Sequence, residues 1–289
     1  MAYLKITHES LARIDVEING IPGHFFDRTN NLSVWSIVEL FLTGTHPPNV
    51  YKFTSKQDLF KNRQLLLFVV QMSCSVTPKI HLISKYSKPA AKIVMSTSVY
   101  HLGTSSYSYL TSMTDGVTKE QLGDFFIKFV VVDKTTRKSC PMPTWFTDKF
   151  RNVPLHNSNF PYTLPSVPEM PKVIYDTTVT VRYSDMDRNL HVTTHRYIQF
   201  FTDCATAAAF SGFYKHFNTD MCWYPVEKFD ITLMGESKVG DKLRICTWQD
   251  EDSVQTIYFI CFKEHKSVMK AVCVYGLNRI APKLPSFEL

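Results

Sequence analysis

The stretch from Val181 to Phe201, Val-Arg-Tyr-Ser-Asp-Met-Asp-Arg-Asn-Leu-His-Val-Thr-Thr-His-Arg-Tyr-Ile-Gln-Phe-Phe, concentrates side chains that can move protons or attack a carbonyl. Asp187, Asn189 and His191 alternate within it, and Glu236 offers a second carboxylate further along. A carboxylate can activate water or attack, and an imidazole titrating near neutrality can carry a proton to a leaving group. Taken alone, Asp187 and Asn189 are equally the residue types that open turns ahead of a helix. Glu236, beside Gly235 and before Val239-Gly240-Asp241, reads equally as a solvated residue near a hairpin. His191 and His195 would share a helix face for a metal, but no H-E-x-x-H pattern or third ligand accompanies them, so no metal site is expected. The seven cysteines, at 74, 140, 204, 222, 246, 261 and 273, form no C-x-x-C pair and have no activating neighbour, and they read as reduced, mostly buried thiols.

Something must hold these groups, and the chain repeats its own pattern to do so. Seven of the fifteen prolines fall between Pro141 and Pro171, a stretch that cannot carry long helices or central strands and reads as a linker over 141–172. On either side, over 1–140 and 173–289, the same signals recur: an alternating strand, a polar loop, an apolar helix, then β-rich segments separated by turns. The first strand is expected over 12–18 and its helix over about 32–42. In the second half Val179, Val181 and Tyr183 alternate with polar residues, and the helix is expected over about 193–210 with Gly212 as its stop. Asp27-Arg28 stands fourteen residues before Phe41, as Asp187-Arg188 stands fourteen before Phe201. This is an internal duplication of pattern. Asn31 and Leu32 occupy the places of His191 and Val192, so Asp27 is expected to shape structure or a pocket. Both helices are apolar on most sides and must be wrapped by the strands that follow, expected in the second half over 229–234, 242–248, 256–262 and 269–276.

Bulk properties narrow the function classes. A hydrophobic content of 44% with 20% charged residues is ordinary for a folded chain, which argues against disorder. No apolar run approaches a membrane span. The net charge of +6 is spread without a dense basic block, so nucleic acid is not an expected partner, although a mild basic excess suits a phosphorylated or acidic carrier. The first residues show no apolar h-region and no Arg- and Ser-rich presequence, so a cytoplasmic location is expected.

The Asp187-x-Asn189-x-His191-Val192 element, followed by Tyr197 near the helix start, resembles the signature of hotdog-fold acyl thioesterases, and within them the plant-type acyl-acyl-carrier-protein (acyl-ACP) thioesterases. Asp27-Arg28-Thr29 resembles that family's first-half element. Thr135-Thr136-Arg137-Lys138 with Pro141-Met142-Pro143 resembles the segment closing that half, and Phe229 to Ser237 resembles the strand bearing a catalytic Glu. The resemblance implies an α+β tandem (double) hotdog, each half a long central helix wrapped by a curved antiparallel sheet. It implies hydrolysis of fatty acyl thioesters to free acid and thiol, without metal or redox cofactor, by Asp187, Asn189, His191 and Glu236. Asp187 attacks the carbonyl or orients water, with Glu236 as the competing base. Asn189 is expected to orient, His191 to protonate the leaving thiolate, and backbone N–H groups at the helix start to receive the oxyanion. Trp35, Thr193, Thr194 and Tyr197 are the expected substrate-binding residues. Thr193-Thr194 stands where the plant family has Asn-Asn, and Ser237 where it has Cys. With no plastid-type presequence either, acyl-CoA is as strong an expectation for the substrate as acyl-ACP. A monomeric tandem able to form a homodimer is expected. Two alternatives remain open: a non-catalytic fatty-acyl binding protein, and an enoyl hydratase or dehydratase on the same fold, which the Asp-Asn-His order disfavours.

Overall fold

Strand-forming residues dominate the chain after each helix, and the computed structural model, which describes residues 4–45, 53, 64–83, 90–155, 165–187 and 190–281, turns them into antiparallel sheet. The chain forms two compact units. One comprises Met1–Ile21, Leu40–Cys74 and Pro89–Leu164; the other comprises Pro22–Glu39, Ser75–Lys88 and Pro165–Leu289.

The first unit carries β1 (Leu4–Glu9), β2 (Arg13–Asn19), β3 (Leu65–Val76), β4 (Lys92–Leu102), β5 (Ser106–Asp115) and β6 (Gln121–Asp133), in the spatial order β1-β2-β4-β5-β6-β3. In β2 the period-two pattern places Ile14, Val16 and Ile18 fully inside while their neighbours face out. Bulges at Val99/His101 and Met113/Thr114 bend the ladders of β4 and β5. Helix α1 (Val34–Thr45) begins at Ser33, whose Oγ accepts the Ser36 N–H at 3.1 Å as an N-cap. Its later residues pack in this unit: Phe41 stacks on Phe125 of β6 with ring centroids 5.0 Å apart. A Cβ on Gly44 would sit 2.8 Å from the Met95 sulfur, so any larger residue there requires the Met95 side chain to move. In the proline-rich stretch the described residues form an α-helical turn, α2 (Thr144–Thr147), followed by a 3-10 turn at Asp148–Phe150, with Phe146 and Phe150 buried.

The second unit orders β7 (Tyr175–Thr180), β8 (Val226–Leu233), β9 (Lys242–Gln249), β10 (Thr256–Lys263) and β11 (Lys266–Tyr275) as β8-β11-β10-β9-β7, every pair antiparallel. Helix α3 (Thr194–Phe210) lies on this sheet. Phe201 stacks on Phe259 of β10 at 5.0 Å, and the Cys204 thiol reaches the Ile245 carbonyl of β9 at 3.5 Å. The alanines near its C-terminus favour helix, and Gly212 ends it in the left-handed region at φ 73°. The Phe213 N–H then returns to the Ala208 carbonyl at 3.0 Å, closing a Schellman turn.

The helix expected over 193–210 matches α3 to within a residue, whereas α1 starts and ends two to three residues later than expected from pattern alone. Val181 and Tyr183 were expected to extend the alternating strand, but β7 ends at Thr180. The reason is local: the Asp185 carboxylate accepts the Arg182 N–H at 2.8 Å and folds 183–185 into a 3-10 turn. Among the described residues no helix is long and apolar enough to cross a membrane.

Candidate active site

The turn ahead of α3 is closed by its own backbone. Met186 and Val192 form an antiparallel bridge, the Asp187 N–H donates to the His191 carbonyl at 2.8 Å, and the Leu190 N–H donates to the Asp187 carbonyl at 3.0 Å. That tight loop forces Leu190 into the left-handed region at φ 61°, with the side chain 64% exposed. The His191 N–H also points to the Asp187 carboxylate, at 3.4 Å from Oδ1. Asp187 and His191 are therefore held at the two ends of one hydrogen-bonded turn. Asn189, with Arg188, lies outside the described residues.

Glu236 arrives from the other side of the unit. The Val192 N–H donates to the Ser237 carbonyl at 3.0 Å, which fastens the end of the β8 extension to the loop. The result is a contact between two residues 45 apart in sequence: His191 Nε2 lies 3.1 Å from Glu236 Oε2, both side chains largely covered. Below them the hairpin is braced by Asp241, which accepts the Lys238 N–H at 2.8 Å and meets the Lys263 ammonium at 2.7 Å. Burial pushes the Asp241 carboxyl up, but Lys263 and the Lys238 amide outweigh it and leave its pKa below the ordinary range.

Of the expected substrate-binding residues, Thr193 precedes α3 and Thr194 opens it, both partly exposed. Thr193 makes no side-chain cap; its Oγ1 lies 3.3 Å from His195 Nε2 instead. Tyr197 is buried under the same turn, and burial raises the pKa of its hydroxyl, with Ser237 opposing the shift only in part. Trp35 sits in the first turn of α1, partly exposed. His195, which the sequence offers as a second imidazole four residues from His191, also lies here; burial lowers its pKa, with Glu39 of α1 partly offsetting that. Asp187, His191 and Glu236 thus share one locality with Thr193, Thr194 and Tyr197 above the sheet.

The turn ahead of α1 repeats this backbone. Phe26 and Leu32 bridge, the Asp27 N–H donates to the Asn31 carbonyl at 2.9 Å, and Asn30 takes φ 61°. Its side chains differ. Asp27 Oδ1 accepts both the Thr29 N–H at 2.8 Å and the Thr29 hydroxyl at 2.5 Å, and burial raises its pKa despite them. Arg28 forks onto Asp220 at 2.5 and 2.6 Å.

No model of a known protein family matches the sequence, and no curated protein matches it either. The fold, however, is that of hotdog acyl-ACP and oleoyl thioesterases. Among solved structures, a putative oleoyl thioesterase from Lactobacillus plantarum aligns at a TM-score of 0.70 and 12% identity, over 94% of this chain and 98% of that one. The 12:0-ACP thioesterase from Umbellularia californica aligns at 0.68 and 14% identity, over 91% and 97%. An acyl-ACP thioesterase from Bacteroides thetaiotaomicron aligns at 0.65 and 15% identity, over 91% and 98%.

Proposed function

We propose that the chain is a tandem hotdog, its halves at 1–140 and 173–289 joined through 141–172, that hydrolyses fatty acyl thioesters of coenzyme A or acyl-carrier protein in the cytoplasm. The observation that carries this reading is the 3.1 Å contact of His191 Nε2 with Glu236 Oε2 beside Asp187. The thioesterase activities of the three neighbours above belong to those proteins, and the shared fold is what supports carrying them to this one.

In this reading Glu236 orients His191 and shares a proton with it, which leaves Asp187 as the carboxylate that acts on the thioester. Asp187 takes a proton from water as its oxygen attacks the carbonyl carbon. The oxyanion is received by amides of the first turn of α3, which no side chain caps. Collapse breaks the C–S bond, the proton held between His191 and Glu236 passes to the thiolate, and Asp187 returns its own to that pair. Asn189 orients the water, and Trp35, Thr193, Thr194 and Tyr197 line the approach. The products are free acid and thiol.

The test is thiol release from acyl-CoA and acyl-ACP panels by wild type, Asp187→Ala and His191→Ala. Loss in both folded variants supports the site. Tight fatty-acyl binding without turnover by wild type replaces this reading with that of a binding protein.

A further inference from the structure

Thr193 stands at the N-cap of α3 with the extended backbone usual for that position, φ −69° and ψ 149°. A threonine so placed ordinarily accepts a hydrogen bond from the second or third amide of its helix, here that of His195 or Arg196. This one accepts neither. Its Oγ1 lies 3.3 Å from His195 Nε2 instead, while the Arg196 and Tyr197 N–H groups return to the Thr193 carbonyl at 3.1 and 3.4 Å. Among the described residues the Thr194 and His195 N–H groups meet no acceptor. A capping hydroxyl and an amide it could cap therefore stand two residues apart and unjoined.

The imidazole holds the hydroxyl in place of the amide. His195 lies in the first turn of α3, half-buried, and the charged groups that act on it are Glu39 of α1 and Arg196 of α3, with opposite signs. Burial lowers its pKa, so near neutral pH the ring is uncharged and keeps one nitrogen lone pair. With the lone pair at Nε2 the Thr193 O–H donates to the ring; with the hydrogen there the ring donates to Oγ1. In either tautomer the contact draws Oγ1 to the ring and away from the amide.

We propose that His195 is a positioning residue: by holding the Thr193 hydroxyl it keeps its own amide, beside that of Thr194, open for the oxyanion of the thioester. The proposal rests on the thioesterase reading above. Without the imidazole the helix is free to cap itself. Each turnover must then break the cap before the oxyanion can enter, and rate is exchanged for helix stability.

The test is a double-mutant cycle of His195→Phe and Thr193→Val. Phenylalanine keeps a flat ring and removes both nitrogens; His195→Leu serves the same purpose should that variant not fold. We expect His195→Phe to lower kcat and kcat/KM on acyl-CoA together by about fivefold, the factor corresponding to one N-cap, with KM unchanged. In the Thr193→Val background, which has no hydroxyl to cap with, the same change should shift kcat by less than about twofold. Thermal unfolding follows the cycle without substrate: His195→Phe should change Tm more favourably, by about 2–4 °C, with Thr193 present than with valine there. An equal loss of kcat in both backgrounds, no loss in folded His195→Phe, or a Tm change indifferent to residue 193 overturns the proposal. A third arm measures Kd for free fatty acids, whose carboxylate oxygen takes the place of the oxyanion. Coupling of the two positions in Kd and Tm without any turnover keeps His195 as the residue that frees the amides and removes the hydrolysis reading. Turnover without coupling does the reverse.

Discussion

The turns that lead into α1 and α3 close with the same hydrogen bonds at an offset of 160 residues: Asp27 N–H to Asn31 O against Asp187 N–H to His191 O, and Asn30 N–H to Asp27 O against Leu190 N–H to Asp187 O. Fourteen residues after each of these aspartates a phenylalanine stacks on its sheet at the same 5.0 Å, Phe41 on Phe125 and Phe201 on Phe259. The backbones agree, and the side chains part company. In the second turn Asp187 is exposed and His191 reaches a carboxylate. In the first Asp27 is largely covered, and Asn31, 1% exposed, donates to Thr29 Oγ1 at 2.7 Å. One backbone thus supports an exposed aspartate beside a His–Glu contact and a desolvated, internally bonded aspartate, and the occupant of a single position, His or Asn, marks the divide.

The strongest way to break this contrast is to make the second turn like the first. His191→Asn should lower kcat by about 10²- to 10⁴-fold with the fold retained, the range typical of losing a proton-transfer group. Asn31→His should create no second activity, because its surroundings stay desolvated; single-turnover assays on Asn31→His in a His191→Asn background would expose any. The next effect concerns stability. Arg28→Ala leaves Asp220, whose side chain is only 12% exposed, without its guanidinium, and a loss of about 2 kcal/mol in urea unfolding is expected.

A smaller effect separates the two left-handed residues. Leucine is strained at positive φ and asparagine tolerates it, so Leu190→Gly should stabilise by about 1 kcal/mol and Asn30→Gly by about half that or less. The last effect is one of pH. Burial raises the folded-state pKa of Asp27 above its ordinary 3.8, so the stability it contributes is complete below that value and is lost as pH rises through the raised one. Asp27→Asn keeps the oxygen that Thr29 uses and removes the ionisation. It should therefore gain in Tm relative to wild type at neutral pH, and the gain should vanish on acidification; a gain independent of pH would show that ionisation of Asp27 is not its source.

Much of this contrast could be read from sequence, because it is local. The spacing from Asp27 to Phe41 and from Asp187 to Phe201 is a property of one turn and one helix, and periodicity carries it. The strand at Leu4–Glu9 escaped notice since none of its residues is buried and its alternation rests on only two apolar residues, Leu4 and Ile6. The β7 boundary was missed because one side chain, Asp185, captures the Arg182 amide and outweighs the alternating pattern. For the candidate site, Asp187 and His191 belong to one turn, but Glu236 joins them only through the β8 extension and the Ser237 carbonyl. No spacing rule reports such a pairing; the family resemblance alone suggested it. The placement of Asp27 against Cys222, far apart in sequence, had no signal at all.

The sulfur atoms give the fold a practical signature. Six of the seven cysteines are buried and only Cys140 is partly open. Burial raises the thiol pKa to about 11 at Cys204 and about 12 at Cys261, so these groups are both covered and protonated near neutral pH. A chromogenic thiol reagent added to the intact protein should consume one equivalent early and then stall, and each later equivalent would clock an opening of the interior.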